Sequence, residues 1–198
     1  AVMGSRSLVT RSGSRPADQV FHMAMLGYTM MPGKGDTDLL LAAFANELEC
    51  SCKAVCGCVQ SNQDRSDGDR CNMFIRTLPA GEEILISQSL GPGSRGCRLD
   101  QNALERAVAS VEHNYSARCD LLLINKFGKH EASGRGFRNL IAQALSDHVP
   151  VLVGLNSLNQ EAFFAFACGL QAAVEPQLDD LLAWFRATEC DRKALQDA

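Results

Sequence analysis

Features that would direct this 198-residue chain to a membrane or to nucleic acid are missing from its sequence. No apolar run approaches the roughly 18 residues that a membrane-spanning helix needs, so we expect no membrane partner. The formal net charge of -4 gives no general attraction for nucleic acid or anionic lipid. The first 16 residues carry arginines among serines and glycines but no apolar core, so we do not expect a secretory signal.

Internal repeats and interdomain linkers are also missing, which predicts one folded unit. A length of 198 residues suffices for one well-buried domain but not for two. We expect segment 1–20 to be a disordered extension or a cloning remnant, residues 21–190 to form a single α/β domain, and 191–198 to be a C-terminal tail.

Cysteine is abundant, with nine residues, but its placement is not that of a secreted disulfide scaffold. The cysteines lie inside apolar segments, so we expect a reducing, cytoplasmic environment. The pattern Cys50-x-Cys52-x3-Cys56-x-Cys58 departs from the C-x2-C pairs of structural zinc sites. Filling of the core by Cys56 and Cys58 on one strand face and a metal or redox role both stay open.

Strand-like and helix-like segments alternate from Phe21 onward. Such alternation predicts a three-layer α/β domain, with a mostly parallel sheet and helices on both faces. The hairpin segments are split by Pro79-Ala80-Gly81, and Ser61 to Arg70 reads as a polar loop. The predicted strands are Met23 to Thr29, Lys53 to Gln60, Met73 to Leu78, Glu83 to Ser87, Asp120 to Asn125 and Val149 to Gly154; the predicted helices are Thr37 to Glu49, Gln101 to Asn114 with Asp100 as N-cap, Gly136 to Asp147 and Leu178 to Ala187.

The loop after the first strand has the pattern of a phosphate loop without its lysine. A phosphate loop reads GxxxxGK[ST] between a strand and a helix. Here Gly35 and Thr37 keep the second glycine and the hydroxyl, but Met30 and Asp36 replace the first glycine and the lysine. An anion thus stands where a cation should be, and each unit charge at 4 Å is worth about 4 kcal/mol at an effective dielectric near 20. This disfavours ordinary ATP hydrolysis.

Two interpretations of this loop stay open. In the first, Gly33, Lys34, Gly35, Asp36 and Thr37 hold an anion, and Asp36 and Thr37 contribute to a magnesium site. In the second, the glycines only form a tight turn and Asp36 is the N-cap of the following helix.

Two more loops combine glycines with cationic side chains. The first, from Leu90 to Gly96, continues into Cys97 and Arg98, and its charge would lower the thiol pKa of Cys97. The second follows the strand that ends at Asn125. Arginine and lysine suit phosphate or other oxyanions, although a solvated basic surface is the plain alternative. The candidate ligand-binding cations of these loops are Arg95, Arg98, Lys126, Lys129 and Arg135.

One carboxylate and one histidine accompany the second basic loop. Glu131 could bind magnesium, activate water or pair with a neighbouring lysine. His130 is expected to be an exposed loop histidine rather than a catalytic base.

The chain resembles the bacterial family called domain of unknown function 2478. The residues that carry the resemblance lie between Met23 and Arg186, and they add Gln88 and Asn125 to the candidate ligand-binding residues. The motifs are Ile86-Ser87-Gln88, Leu90-Gly91-Pro92-Gly93-Ser94-Arg95-Gly96-Cys97-Arg98-Leu99-Asp100, Asn125-Lys126-Phe127-Gly128-Lys129, Glu131 and Gly134-Arg135-Gly136.

More remotely, the chain is similar to THEP-type phosphate-loop nucleoside-triphosphatases. Those proteins carry two acids where Asn125 and Lys126 stand here, whereas Gly128 and Glu131 persist. This resemblance implies a degenerate phosphate-loop NTPase-like fold more firmly than hydrolysis. The family resemblance implies, at most, a connection to an oxyanion or to molybdenum.

Three functions follow as hypotheses. The first is a cytoplasmic protein that binds a small anionic ligand: a nucleotide, phosphate or a molybdate-like oxyanion. The second is an altered NTPase in which Lys126 or Lys129 replaces the missing lysine, Asp36, Thr37 or Glu131 helps to hold magnesium, and Glu131 orients water. The third is a cysteine-based metal or redox protein. A dimer stays open.

Overall fold

The computed structural model describes residues 24–64, 71–79, 81, 83–89 and 98–196. Within these residues one sheet has the strand order β4-β3-β2-β5-β6-β1-β7. Strands β2, β5, β6, β1 and β7 run parallel, and β3 and β4 add an antiparallel edge. The strands are β1 (Leu26–Thr29), β2 (Val55–Gln63), β3 (Asn72–Leu78), β4 (Glu83–Leu85), β5 (Leu121–Asn125), β6 (Val151–Gly154) and β7 (Gln171–Ala173).

Helices cover both faces of the sheet and make three layers. The helices are α1 (Asp36–Cys50), α2 (Gln101–Asn114), α3 (Lys129–Ala132), α4 (Arg138–Ser146), α5 (Gln160–Ala167) and α6 (Leu178–Gln196). Helices α1 and α6 pack on one face, and α2, α4 and α5 pack on the other. Strand β5 shows why: Leu121 and Leu123 join the first core, and Leu122 and Ile124 join the second. A strand buried on both faces is apolar without alternation.

The structure confirms the predicted fold class and most of the predicted elements. The sheet is mostly parallel, the β3–β4 pair is the predicted hairpin, and α2 has the predicted ends. Asp100 is the N-cap of α2, and its side chain accepts a hydrogen bond from the Ala103 amide at 3.0 Å.

Two local predictions are wrong, and three short elements were missed. The expected polar loop begins too early, because β2 continues to Gln63 and pairs with β3. The closing helix does not end at Ala187 but runs to Gln196, so the segment predicted as a tail is helical up to that residue. Its polar last turns lack apolar spacing, and ion pairing of Glu189 with Lys53 at 2.6 Å helps to hold them. Helices α3 and α5 and strand β7 were not predicted, since each is too short for a clear period.

Candidate functional site

A cavity of about 650 Å³ opens at the carboxyl ends of β2 and β5. Ligands of open parallel sheets collect at this edge, because the loops and helix N-termini meet there. One part of the wall is polar and includes seven ionisable lysine, arginine, aspartate and glutamate side chains, and another part is apolar. The charged lining residues are Lys34, Asp38, Asp64, Arg98, Lys126, Lys129 and Glu131; the apolar ones include Met73, Ile75, Ile86, Leu99, Leu104 and Phe137.

The β1–α1 loop brings the start of α1 to the cavity. Gly35 is the N-cap of α1 with a φ of 88°, a left-handed conformation that suits glycine, and no side chain caps the helix. The Thr37 hydroxyl accepts a hydrogen bond from the Met31 amide at 3.0 Å and so closes the loop on itself. Asp36 is exposed and is the first helical residue, so its predicted role as N-cap is wrong. Its carboxylate occupies the space where a Cβ on Gly33 would lie.

Asp38, which the sequence did not single out, is the buried acid of this helix start. Its Oδ2 accepts hydrogen bonds from Asn62 Nδ2 at 2.8 Å and from Gln60 Nε2 at 3.4 Å. Lys126 Nζ lies 3.1 Å from Oδ1 and 3.3 Å from Oδ2. Donors from β2 and from the loop after β5 therefore converge on one carboxylate.

A signal for Asp38 does exist in the sequence. Positions 38, 41, 45 and 48 share one face of α1, and the last three hold Leu41, Ala45 and Leu48, which are buried. An acid on an apolar helical stripe is buried, and a buried carboxylate needs partners. Its partner Lys126 follows β5, 88 residues away along the chain, and local pattern cannot supply that contact.

Asn125 ends β5 and is fully buried against α1. Neither polar atom of its amide has a hydrogen-bond partner within the described part of the chain. Gly154 lies beside it in β6, where an added Cβ would be 3.1 Å from Asn125 Oδ1 and 2.6 Å from Leu41 Cδ1. The lack of a side chain at Gly154 leaves room for this buried amide.

Glu131 closes the first turn of α3 rather than facing a free ligand position. Its two carboxylate oxygens accept hydrogen bonds from the amides of Gly128, at 2.8 Å, and Phe137, at 3.3 Å. Burial raises the pKa of Glu131 above the ordinary 4.5 of a glutamate, although these amide bonds and nearby His130 oppose the rise. The carboxyl of Glu131 therefore keeps its proton to a higher pH than an exposed glutamate.

His130 was expected to be exposed, and that prediction is wrong. Its side chain is buried, lines the cavity and pairs through Nε2 with Glu105 Oε1. Helix α2 places Glu105 over the start of α3, an arrangement between distant segments that the sequence did not indicate.

Arg98, two residues before the N-cap of α2, contacts the segments that follow β4 and precede β3. Its guanidinium donates to the carbonyls of Gln88 at 3.2 Å and Cys71 at 3.3 Å, and the buried Nη2 has no partner among the described residues. Gln88 donates its backbone amide to the Arg98 carbonyl at 2.7 Å and does not line the cavity. The candidates Arg95 and Cys97 lie outside the described residues.

The structure brings seven of the predicted site residues to the cavity. They are Lys34, Gly35, Arg98, Asn125, Lys126, Lys129 and Glu131. The lining does not include Gly33, Asp36, Thr37, Gln88 or Arg135. With Asp36 exposed, Thr37 bonded within its loop and both Glu131 oxygens on backbone amides, the geometry lends no support to the predicted magnesium site, which stays a prediction.

The cysteines form no metal cluster within the described residues, where no group of three or more His, Cys, Asp or Glu side chains could hold an ion. Cys50 and Cys52 are exposed, and Cys58 is buried, as expected for core filling. Cys56 is also buried but is joined to Cys119 by a disulfide, a pairing that the sequence did not predict and that is unusual in the reducing environment expected above. In the part of the chain that is described, no helix has the length and apolarity to span a membrane.

Comparisons with known proteins agree with the resemblance. The molybdenum import ATP-binding protein ModC 2 of Bradyrhizobium diazoefficiens is 35% identical to this chain over 162 residues. The match covers 82% of this chain and only 18% of that protein. No solved structure matches. The sheet and this relative are consistent with a phosphate-loop NTPase-like relationship. The model of the family "Protein of unknown function (DUF2478)" matches residues 26–184, and the chain therefore belongs to that family.

Proposed function

We propose that this protein is a cytoplasmic binding protein for a nucleotide or a similar organic phosphate, held on a degenerate phosphate-loop scaffold. The observation that carries the proposal is the convergence of four cations from three segments on one cavity in an acidic protein. Lys34 precedes α1, Arg98 precedes α2, and Lys126 and Lys129 follow β5. Lysine and arginine at the carboxyl edge of a parallel sheet suit phosphate oxygens.

The size and lining of the cavity favour an organic anion over a bare oxyanion. A volume of about 650 Å³ lies in the range of sites for small organic molecules, and a tetrahedral oxyanion would fill only a small part of it. The apolar wall formed by Met73, Ile75 and Leu104 would be left wet by phosphate or molybdate alone. A base or a comparable ring covers such a wall.

Binding without rapid hydrolysis fits the charges better than an NTPase does. Lys126, a candidate replacement for the missing loop lysine, is already paired with Asp38. The Glu131 carboxylate, a candidate for orienting water, accepts two backbone amides. Removal of either residue is therefore expected to weaken binding or folding rather than to abolish a turnover step.

The similarity to a molybdenum import ATP-binding protein supports both nucleotide binding and a link to molybdenum import. The chain corresponds to only 18% of that protein, so ATP binding by the whole relative does not locate the ATP site in this segment. We propose that this domain serves molybdenum handling as an accessory nucleotide-binding unit.

Isothermal calorimetry tests the proposal with AMP, ADP, ATP, GMP, GDP, GTP, phosphate, molybdate and tungstate, each with and without magnesium. We expect micromolar binding of at least one nucleotide and weaker binding of the bare oxyanions. Lys34→Ala and Lys129→Ala should each weaken nucleotide binding about tenfold, the effect of one lost charge-assisted contact. Lys193→Ala, which removes an exposed lysine from α6, is the matched control and should change nothing.

Two outcomes would contradict the proposal. One is the absence of nucleotide binding below millimolar concentration. The other is tight binding of molybdate or phosphate alone with no gain from an organic group. Phosphate release, measured in the same samples with magnesium, decides whether the NTPase alternative needs to be revived.

A further inference from the structure

Among the described residues, the side chains that line the cavity carry too little positive charge for a triphosphate. This point rests on the proposed function and concerns the class of nucleotide. Four cationic side chains and three carboxylic acids line the cavity within the described residues. If all seven are charged, the net charge of the lining is +1. Because the pKa of Glu131 is raised, the net charge is +2 at any pH low enough for that carboxyl to keep its proton. A single phosphate ester carries a charge of about -1.5 to -2 near neutral pH, and each further phosphate adds more.

Asp38 places one of these negative charges at the N-terminus of α1, where a phosphate would otherwise bind. The carboxylate lies in the first turn of α1, the end of a helix that would otherwise attract phosphate. It is 3% exposed, so solvent screens its charge weakly. It also takes the hydrogen bonds of Asn62, Gln60 and Lys126, donors that an additional phosphate would need.

The three cations other than Lys126 are available to bind one anionic group. Lys34 and Lys129 are exposed at the rim and have no ion-pair partner among the described residues. Arg98 is bonded only to carbonyls, so its charge is not neutralised by an acid of the described chain. The apolar lining residues are available for the organic part of the ligand.

We propose that this site binds an organic ligand with a single phosphate-like group, such as a nucleoside monophosphate, and that Asp38 is a specificity-determining residue that rejects di- and triphosphates. A buried carboxylate that repels additional phosphates gives specificity by disfavouring the wrong ligand. In this proposal Asp38 does not contact the bound ligand. It repels additional phosphates through its charge, and it accepts hydrogen bonds from donors that those phosphates would need.

The test compares dissociation constants of AMP, ADP and ATP, and of the guanine series, for the wild type and for Asp38→Asn. In the wild type we expect affinity to fall with each added phosphate, with the triphosphate at least tenfold weaker than the monophosphate. Asp38→Asn keeps the shape of the side chain and removes its charge. The dissociation constant of the triphosphate divided by that of the monophosphate should therefore shrink at least tenfold. Asp180→Asn, which changes an exposed acid in the first turn of α6 outside the cavity lining, is the control and should leave the ratio unchanged.

A second variant changes the ratio in the opposite direction and guards against misfolding of the first. Lys126→Gln deprives Asp38 of its counter-ion, so it should weaken triphosphate binding more than monophosphate binding. The wild-type ranking needs no variant: tightest binding of the triphosphate overturns this inference and leaves the proposed function standing. An unchanged ratio in Asp38→Asn also overturns it. Failure of every nucleotide to bind overturns the inference and the proposed function together.

Discussion

Asp36 and Asp38 stand two positions apart in the first turn of α1, and the fold gives them opposite surroundings. Asp36 is exposed beside Gly33, whereas Asp38 is buried against Asn62 and Lys126. The phosphate-loop pattern drew attention to Asp36, because it occupies the position of the missing lysine. Helical period points to Asp38 instead, since it shares a face with buried Leu41. The residue type therefore predicts the charge, but only the packing decides whether that charge is solvated, as at Asp36, or buried and paired, as at Asp38.

The buried Glu131 carboxyl predicts a pH dependence of stability. Because its pKa is raised in the native state, the native protein holds a proton that the unfolded chain releases above pH 4.5. The resulting stabilisation is complete below that pH and is lost as pH rises through the raised pKa. Glu131→Gln does not titrate, so the free energy of unfolding of the wild type minus that of the variant should decrease as pH rises from about 4.5 through the raised pKa. Urea unfolding at several pH values measures it.

The control for this prediction is Glu175→Gln, which changes an exposed glutamate. Its difference from the wild type should stay nearly constant with pH. A constant difference for Glu131→Gln as well would contradict the buried, proton-retaining carboxyl.

Cys58 is predicted to be inert in the folded protein. Its thiol is buried, donates to the Asn125 carbonyl at 3.8 Å, and has a pKa that burial raises to about 12. Only the thiolate reacts readily with alkylating reagents. Iodoacetamide followed by peptide mass spectrometry should therefore label the exposed Cys168 in the native state and Cys58 only after denaturation. Comparable labelling of both in the native protein would show that the β2–β5 core opens easily.

Among the elements, α2 is the one whose signals are entirely local. Asp100 caps its start, and Ala103, Ala107 and Val111 form its buried face. Asp100→Ala removes the hydrogen bond to the Ala103 amide and should lower the free energy of unfolding by about 1 kcal/mol. Gln101→Ala, at the exposed next residue, should cost less than about 0.5 kcal/mol. Denaturant titration of the two variants gives the comparison, and equal costs would exclude a capping role.

Strand β2 contains a position that only glycine can occupy. Gly57 has a φ of 121°, and an added Cβ would lie 1.9 Å from the Leu123 carbonyl oxygen of neighbouring β5. Gly57→Ala should therefore cost more than about 4 kcal/mol or prevent folding, because backbone rather than a mobile side chain must move. Gly134→Ala has a similar positive φ of 86° but open space around the new Cβ.

The Gly134 variant separates strain from collision in this experiment. It should cost only the roughly 1–2 kcal/mol of a left-handed residue with a side chain. Thermal unfolding of both variants provides the measurement. A cost at Gly57 no larger than that at Gly134 would mean that the sheet adjusts easily at this point.

For the whole molecule, the contact between α1 and α6 joins the two ends of the described chain. Phe44 of α1 and Phe185 of α6 meet edge to face with ring centroids 6.5 Å apart, and both are buried. Trp184 donates to the Ala24 carbonyl at 3.3 Å and packs against Gly27 of β1. The last helix is thus part of the core on the α1 face of the sheet.

Phe185→Ala should lower the free energy of unfolding by about 3–5 kcal/mol, the usual cost of a phenylalanine-sized cavity in a core. Arg186→Ala, at the exposed neighbouring residue, should change it by less than about 0.5 kcal/mol. Calorimetric unfolding measures both variants. A small cost for Phe185→Ala would show that α6 is an appendage rather than part of the folding unit.

The sequence by itself determined the layers, the parallel sheet and the hairpin at its edge, because hydrophobic period and turn residues act over a few neighbours. It also placed Lys126 and Lys129 at the ligand edge of the sheet, since residues that follow parallel strands meet there. Tertiary structure alone decided that Asp38 pairs with Lys126, that His130 is buried beside Glu105, and that Cys56 bonds to Cys119. Each of these contacts joins residues 25 to 88 positions apart, and the energy that selects them arises only when the chain has closed around a shared, water-poor space.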